Sequence, residues 1–232
     1  MKRFYREAMV AASERGFTVT LDGKPVRTPA KALLTVPSRA LAAAMAAEWQ
    51  GQCDELRPDA LPLTRLASTA LDLVAPRRAE IVAAIAKYAG TDLVCYRAEH
   101  PPELVERQQR AWQPLLDWAA QRYGAPLAVT AGVVPRAQPE ASLAALAAAV
   151  EAQDAMALAA LHLATAACGS LVIALALVEA RIDAAAAFAL SQLDESFEIE
   201  RWGEDTEQTR RRAALRDDIA LAAHFHTLAR AA

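Results

Sequence analysis

The contents of alanine and glycine constrain the fold of this 232-residue chain more than any other sequence feature. Alanine, the strongest helix former, supplies about a quarter of the residues, whereas glycine, one of the weakest, occurs only 8 times. This composition favours helices and excludes collagen, a disulfide scaffold and a long disordered polar tract. At this length we expect one large domain or two small ones, with a hydrophobic core of ordinary size.

Strand patterns come first in the chain. Phe17–Leu21 alternates as a half-buried strand does, and Asp22-Gly23 directly after it is a strong hairpin signal. Further extended runs occur at Ala8–Ser13, Pro25–Thr28 and Leu33–Val36. Together they predict a small antiparallel sheet.

Helix patterns dominate the remainder. Ser38 is a predicted N-cap for a helix that ends at Gly51. Further helices are predicted at Thr64–Val74, Arg77–Tyr88, Glu103–Tyr123, Glu140–Ala152, Met156–Thr165, Ser170–Ala180, Ala184–Trp202 and Glu204–Ala231. Strand-like islands at Asp92–Tyr96 and Leu127–Val134 interrupt them. The sequence therefore predicts an α+β protein, with a small β-rich N-terminal domain (residues 1–72) followed by a larger all-helical C-terminal domain (residues 73–232).

The net charge and the cysteines of the chain limit the partners and the cellular compartment that we expect for it. A net charge of −3 and a pI of about 5.9 provide no broad positive field, so we expect no nucleic-acid partner. Cys53, Cys95 and Cys168 are odd in number and form no C-x-x-C pair. This pattern indicates reduced, mostly buried thiols in a reducing compartment.

One apolar stretch, Met156–Val178, is long enough to cross a bilayer, and His162 is its only acidic or basic residue. Much of the stretch is alanine, and apart from Arg181 no belt of Trp, Tyr, Lys or Arg flanks it closely. We therefore expect a buried central helix or helix pair, with a membrane span as the alternative. The basic N-terminus carries Glu7 and Glu14 and no apolar stretch follows it, so we expect no targeting segment.

No catalytic or metal-binding signature stands out in the sequence. Glycine-rich nucleotide loops, H-E-x-x-H and G-x-S-x-G are absent. His224 and His226 point away from each other on a helix, and His162, among Ala and Leu, is predicted to be a core histidine rather than a ligand. Cys168, next to the predicted N-cap Ser170, is expected to be a buried, unreactive thiol.

The densest polar cluster is Asp194–Glu207, which we call the acidic segment. Gly203 after Trp202 predicts a helix break. Glu204, Asp205 and Glu207 then lie in the first turn of a new helix, where carboxylates complement the helix dipole. Three interpretations stay open from the residues alone: a solvated helix start, an acidic docking surface anchored by Trp202, and a paired-carboxylate catalytic site.

Motifs along nearly the whole chain resemble, in the same order, those of the ATP12-type chaperones, which assist ATP synthase assembly by escorting the α subunit of its catalytic head. They are TVTLDGKPVRTPA (Thr18–Ala30), AAEW (Ala46–Trp49), PLTRLASTALD (Pro62–Asp72), TDLVCYRA (Thr91–Ala98), QQRAWQPLLDWA (Gln108–Ala119), LHLATAACGSLVIALAL (Leu161–Leu177) and LDESFEIERWGEDTE (Leu193–Glu207). The resemblance implies a bacterial member of this family.

By this resemblance the chain is a chaperone and not an enzyme, holds no cofactor or metal, and binds the free α subunit until it pairs with β. It also implies that the acidic segment is functional, so Trp202, Glu204, Asp205 and Glu207 are the candidate client-binding residues. We expect a cytoplasmic protein without a membrane span that is a monomer when free.

Trp49 and Arg65 also lie in matched motifs, and for both we expect structural roles. Trp49 is predicted to pack within a helical core, and Arg65 to form an ion pair with Asp72 or a nearby acid. Two alternative functions stay open: a small-molecule enzyme that uses the acidic segment or Cys168, and a membrane-associated factor.

Overall fold

The computed structural model describes residues 2–132 and 136–231 and has the predicted α+β architecture. Four N-terminal strands form one antiparallel sheet in which β2 is central, since β1 pairs with one edge of it and β3 and β4 pair with the other. These strands are β1 (Ala8–Ser13), β2 (Gly16–Leu21), β3 (Lys24–Pro25) and β4 (Thr35–Val36).

The predicted hairpin at Asp22-Gly23 is confirmed. Leu21 pairs with Lys24, which leaves a two-residue loop, and both loop residues have positive φ (47° and 79°), as a type I′ turn requires. Gly16 is required for a different reason, because a side chain does not fit at this position. Its φ is +137°, and a Cβ placed on it would lie 2.3 Å from the carbonyl oxygen of Val36.

Ten helices follow within the described residues. They are α1 (Arg39–Gln50), α2 (Pro62–Thr69), α3 (Arg78–Ala86), α4 (Pro102–Tyr123), α5 (Glu140–Glu151), α6 (Ala155–Cys168), α7 (Leu171–Val178), α8 (Ala184–Ser191), α9 (Leu193–Trp202) and α10 (Thr206–Ala229). Short 3-10 turns lie at Pro58–Ala60, Lys87–Thr91 and Leu93–Cys95, and a π-helical turn, Ala70–Val74, continues α2. The predicted N-caps are confirmed: Ser38 Oγ accepts from Leu41 N and Ser170 Oγ accepts from Ile173 N, both at 3.0 Å.

The prediction of one helix over Ala184–Trp202 is wrong, because the helix is broken at Gln192. The carbonyl oxygen of Leu190 accepts a hydrogen bond from Trp112 Nε1 at 2.9 Å. In a continuous helix that oxygen accepts from the amide four residues later. The hydrogen bond from Trp112 thus replaces the helical hydrogen bond that the local sequence pattern predicts for the Leu190 carbonyl oxygen.

The strand-like islands meet as a small parallel ladder between β5 (Tyr96–Arg97) and β6 (Thr130–Ala131). The rest of the first island is mainly the 3-10 turn Leu93–Cys95. In the second island, Val133 and Val134 lie outside the described residues.

The chain divides into two compact units. The first comprises the chain up to Arg78, Asp154–Ala160 and the chain from His224 onward, and its core includes the fully buried Val19, Leu41 and Met45. The second comprises the intervening segments, 79–153 and 161–223.

Helix α7 lies at the centre of the second unit's core, since each of its residues from Leu171 to Leu177 is buried. The apolar stretch Met156–Val178 therefore forms a buried helix pair, α6 and α7, as predicted. Across residues 2–132 and 136–231 no helix has the length and apolar character needed to span a bilayer.

Two carboxylates connect the N-terminal motifs. Glu48, from AAEW, accepts hydrogen bonds from Leu63 N (2.7 Å), Thr64 N (3.0 Å) and Thr64 Oγ1 (2.8 Å) at the start of α2. Asp72, at the end of PLTRLASTALD, accepts from the backbone N–H of Ala30, the last residue of TVTLDGKPVRTPA, at 2.9 Å. Segments far apart in sequence are therefore held together by acidic side chains bonded to backbone amides.

Replacing Glu48 with glutamine should lower the free energy of unfolding by about 1–2 kcal/mol, because the amide retains one of the two acceptor oxygens and leaves a backbone N–H at the start of α2 unpaired. Burial raises the pKa of the Glu48 carboxyl, so the substitution also relieves some cost of a buried charge, which keeps the expected loss moderate. Urea unfolding at neutral pH measures the effect. Unchanged stability would show that these hydrogen bonds do not secure α2.

Candidate functional site

The acidic segment contains the predicted helix break. Helix α9 ends at Trp202, Gly203 follows with φ 84°, and α10 begins at Thr206, slightly later than the predicted start at Glu204. Residues from Glu200 to Glu207 are exposed, although the side chain of Glu204 is mostly covered. The junction of α9 and α10 therefore presents a continuous solvent-facing stretch of chain.

The structure brings the four predicted client-binding residues together at this junction but gives them different local roles. Trp202 is 76% exposed. Glu204 forms an ion pair with Arg212 (Oε1 to Nε, 3.3 Å), with both side chains largely covered. Asp205 is the N-cap of α10, since its Oδ1 accepts from Gln208 N at 2.8 Å.

Glu207 differs from the other two acids of the predicted site in having no partner among the residues that the structure describes. It is exposed in the first turn of α10 and forms no ion pair within the described part of the chain. Glu204 and Asp205 thus shape the junction, whereas Trp202 and Glu207 are free to contact another molecule.

Other acids of the segment are engaged inside the second unit. Asp194 accepts from Gln108 Nε2 at 2.8 Å, and burial raises the pKa of its carboxyl. Glu200 pairs with Arg107 at 2.7 Å. These contacts fasten α9 to α4 and leave fewer free carboxylates than the sequence suggests.

Two arginines close to the Phe197 ring reinforce the same attachment. The guanidinium carbon of Arg201 lies 4.3 Å from the centre of the Phe197 ring, and that of Arg107 lies 5.2 Å from it. Arg201 also forms an ion pair with Glu103 of α4 at 3.4 Å. Cation–π contacts and ion pairs together hold the end of α9 in place, so Trp202 projects from a supported position.

The catalytic alternatives find little support in the geometry. Burial raises the pKa of the Cys168 thiol to about 12, which agrees with the predicted unreactive thiol. His162 is exposed, so its prediction as a core histidine is wrong: it lies on the solvent side of α6, whose buried side chains include Leu158 and Leu161. Among residues 2–132 and 136–231, no group of His, Cys, Asp or Glu has the arrangement of a metal site.

A second surface lies in the first unit and was not predicted. Three of the matched motifs line one hollow of about 730 Å³, which we call the motif groove. Its lining residues are Val26, Arg27, Thr28, Pro29, Ala30, Trp49, Thr64, Arg65, Ser68, Thr69, Asp72 and Leu73. Separate motifs that meet at one hollow become visible only once the chain is folded.

Trp49 and Arg65, for which structural roles were expected, both border the motif groove. Trp49 is half-buried and packs edge-to-face on Tyr5 with 5.8 Å between ring centres, in agreement with the packing role. Of the two partners expected for Arg65, Asp72 or a nearby acid, the structure shows the nearby acid. Arg65 lies 3.5 Å from Asp59, because the carboxylate of Asp72 is bonded to the Ala30 amide.

Comparisons with known proteins agree on one family. A family model described as "ATP12 chaperone protein" matches residues 2–120. The crystal structure of Atp12 from Paracoccus denitrificans is 42% identical, covers 99% of this chain and 98% of that chain, and superposes with a TM-score of 0.96. An aspartate-to-lysine variant of the same Paracoccus protein is 41% identical with the same TM-score, 0.96.

Two further proteins are also similar to this chain. A crystal structure from Agrobacterium tumefaciens is 43% identical, covers 98% of this chain and 85% of that chain, and has a TM-score of 0.90. "Protein atp12, mitochondrial" of Schizosaccharomyces pombe is 22% identical over 214 residues, which are 87% of this chain and 74% of that protein.

Proposed function

Since this chain belongs to the ATP12 chaperone family and is therefore an ATP synthase assembly chaperone, we propose that its client is the free α subunit of the catalytic head. Before assembly, a subunit exposes the apolar surface that its neighbours later cover, and such surface aggregates. The chaperone covers that surface and releases the subunit when β arrives. The task involves no chemical step and no cofactor, and it belongs in the bacterial cytoplasm.

The observation that carries the proposed binding site is the 76% exposure of Trp202 at a supported helix junction. A solvent-exposed indole on a fixed backbone is typical of the anchors that dominate protein interfaces. Glu207 adds an unpaired carboxylate near the indole in sequence. A client surface that fits this pair has an apolar pocket with a basic side chain at its rim.

Glu204 and Asp205 contribute to the proposed site in a different way. The ion pair of Glu204 with Arg212 and the cap formed by Asp205 fix where α10 begins and so position Trp202 and Glu207. We therefore assign positioning roles to Glu204 and Asp205 and contact roles to Trp202 and Glu207. One apolar anchor and one salt-sensitive charge give a moderate affinity for the client. A moderate affinity is needed because the chaperone must later release the client.

The double variant Trp202→Ala/Glu207→Lys should bind the isolated α subunit at least about thirtyfold more weakly than the wild type, because it removes the anchor and reverses the free charge. Fluorescence anisotropy of labelled α subunit measures the affinity, and light scattering measures whether aggregation is still suppressed. The wild-type affinity should fall as salt is added, and that of the variant should respond less.

The matched control is Phe4→Ala/Glu140→Lys. Phe4 is 65% exposed, and Glu140 occupies the first turn of α5 as Glu207 does in α10, so both double variants have a similar helix-dipole cost. The control should bind the α subunit as the wild type does. Equal affinities for the two double variants would refute the proposed site.

A further inference from the structure

The motif groove brings together chain segments that the proposed client site does not use. Val26–Ala30 comes from TVTLDGKPVRTPA, Trp49 from AAEW, and most of the remaining lining from PLTRLASTALD, with Leu73 directly after it. All of these residues belong to the first compact unit. The hollow is thus a feature of this unit alone.

The apolar part of the motif groove includes a large side chain that is half exposed. Leu73 is 51% exposed, although the π-helical turn that carries it also buries Ala70 and Val74. Trp49 is half-buried, and Pro29 is exposed. An exposed leucine beside an indole and a proline in a hollow of about 730 Å³ is suited to receive a large apolar side chain.

The charges bordering the motif groove are unbalanced. Arg27 donates to the carbonyl oxygen of Lys31 at 2.8 Å and has no carboxylate partner among the described residues. Arg65 has Asp59 at 3.5 Å, but the two side chains are 62% and 91% exposed, so solvent screens their attraction.

The carboxylates closest to the motif groove accept hydrogen bonds from backbone amides, which hold them in place without cancelling their charge. Asp72 accepts from Ala30 N, and Glu48 accepts from Leu63 N and Thr64 N. The lining therefore carries two arginines against one carboxylate, Asp72, which leaves a net charge of +1 beside an apolar surface. Its charge complement is an acidic partner.

We propose that the motif groove is a second docking surface, which binds an extended segment of the client with a large apolar side chain against Leu73 and Trp49 and a carboxylate against Arg27 or Arg65. This inference rests on the proposed function for the identity of the client. It adds a contact in the first unit that is separate from the acidic segment. One surface carries a net positive charge and the other carries Glu207, so the client segments that they recognise differ in charge.

The first test compares Leu73→Glu with Met9→Glu. Met9 is 49% exposed, lies in the same unit and does not line the groove, so the two variants exchange equally exposed apolar residues for the same carboxylate. Leu73→Glu should bind the isolated α subunit at least about tenfold more weakly than the wild type, and Met9→Glu should bind it as the wild type does. Circular dichroism and thermal unfolding establish that both variants are folded.

The second test does not depend on a damaging substitution. Leu73 is replaced by photoreactive benzoylphenylalanine, the chaperone is mixed with isolated α subunit, and the cross-linked client peptides are identified by mass spectrometry. Peptides with an Asp or Glu within a few residues of the cross-linked position support the proposal. Absence of a cross-link from this position while the α subunit is bound, or cross-links to basic peptides only, would overturn it.

The outcomes separate this inference from the proposed function. If the wild type does not bind the α subunit, both are wrong. If the wild type binds and Leu73→Glu binds equally well, only the motif groove is wrong. If the wild type self-associates in sedimentation experiments and Leu73→Glu alone abolishes this, the groove joins copies of the chaperone and the proposal is overturned.

Discussion

Truncating Trp112 to alanine should lower the free energy of unfolding of the second unit by about 3–5 kcal/mol. The side chain is fully buried, its Nε1 donates to Leu190 O at 2.9 Å, and the guanidinium carbon of Arg97 lies 5.0 Å from the ring centre. Alanine at this position leaves a cavity beside α4. It also removes the Nε1 donor that bonds the Leu190 carbonyl oxygen next to the break between α8 and α9. Chemical unfolding followed by circular dichroism measures the loss.

Trp202→Ala is the matched control, since it removes the same side chain from a position that is 76% exposed. Trp202→Ala should lower the free energy of unfolding by less than about 0.5 kcal/mol, because the folded state buries little of the indole. A large loss for Trp202→Ala would mean that the indole is structural and would count against its role as an anchor. A loss of less than about 1 kcal/mol for Trp112→Ala would contradict the packing described for α4.

Asp92→Ala should be comparably destabilising, with a loss of about 3–5 kcal/mol at pH 4.5. Asp92 is fully buried and accepts from Val94 N at 3.2 Å and from Val172 N, at the start of α7, at 3.0 Å. Alanine leaves these amides without a partner in the core of the second unit. Urea unfolding of both proteins measures the difference in the free energy of unfolding.

The effect of Asp92→Ala should depend on pH in a defined direction. Burial raises the pKa of Asp92 from 3.8 to about 6, although hydrogen bonds from Ser170 and Val172 oppose this rise. Between these values the folded state keeps the proton and the unfolded state releases it, so the free energy of unfolding falls as the pH rises through this window. The difference between wild type and variant should therefore shrink by about 2 kcal/mol from pH 4.5 to pH 7.5.

Asp183→Ala is the control for this pH experiment. Asp183 is exposed and caps α8 by accepting from Ala186 N at 2.7 Å, so its loss should cost about 0.5–2 kcal/mol at either pH. A difference between the wild type and Asp92→Ala that widens as the pH rises would show that the folded state favours the ionised carboxyl and would contradict the raised pKa.

Local signals predicted most elements correctly. The hairpin at Asp22-Gly23 and the caps at Ser38 and Ser170 form as expected, because turn chemistry and capping act over a few residues and are legible in sequence. The failures involve contacts between distant segments. The break at Gln192 accompanies the hydrogen bond from Trp112 to Leu190 O, and no local pattern reveals that bond.

For the candidate site, the sequence singled out one segment without separating the roles of the residues within it. Trp202, Glu204, Asp205 and Glu207 all lie at the junction of α9 and α10. Only the structure distinguishes Glu204, which is paired with Arg212, from Glu207, which forms no ion pair within residues 2–132 and 136–231. Glu204→Lys would disturb the junction itself, so Glu207 is the better position at which to test charge.

The sequence by itself determined the α+β class, the hairpin, the main helices and the family resemblance, because composition, periodicity and short motifs express local energetic preferences. Only the tertiary structure decided that Glu48 and Asp72 join separate motifs around one groove and that most of the acidic segment is engaged internally. It also decided that Asp154–Ala160 and the chain from His224 belong to the first unit. The physical reason is that these outcomes depend on which distant groups meet once the apolar faces are buried, and side-chain spacing along the chain does not encode that pairing.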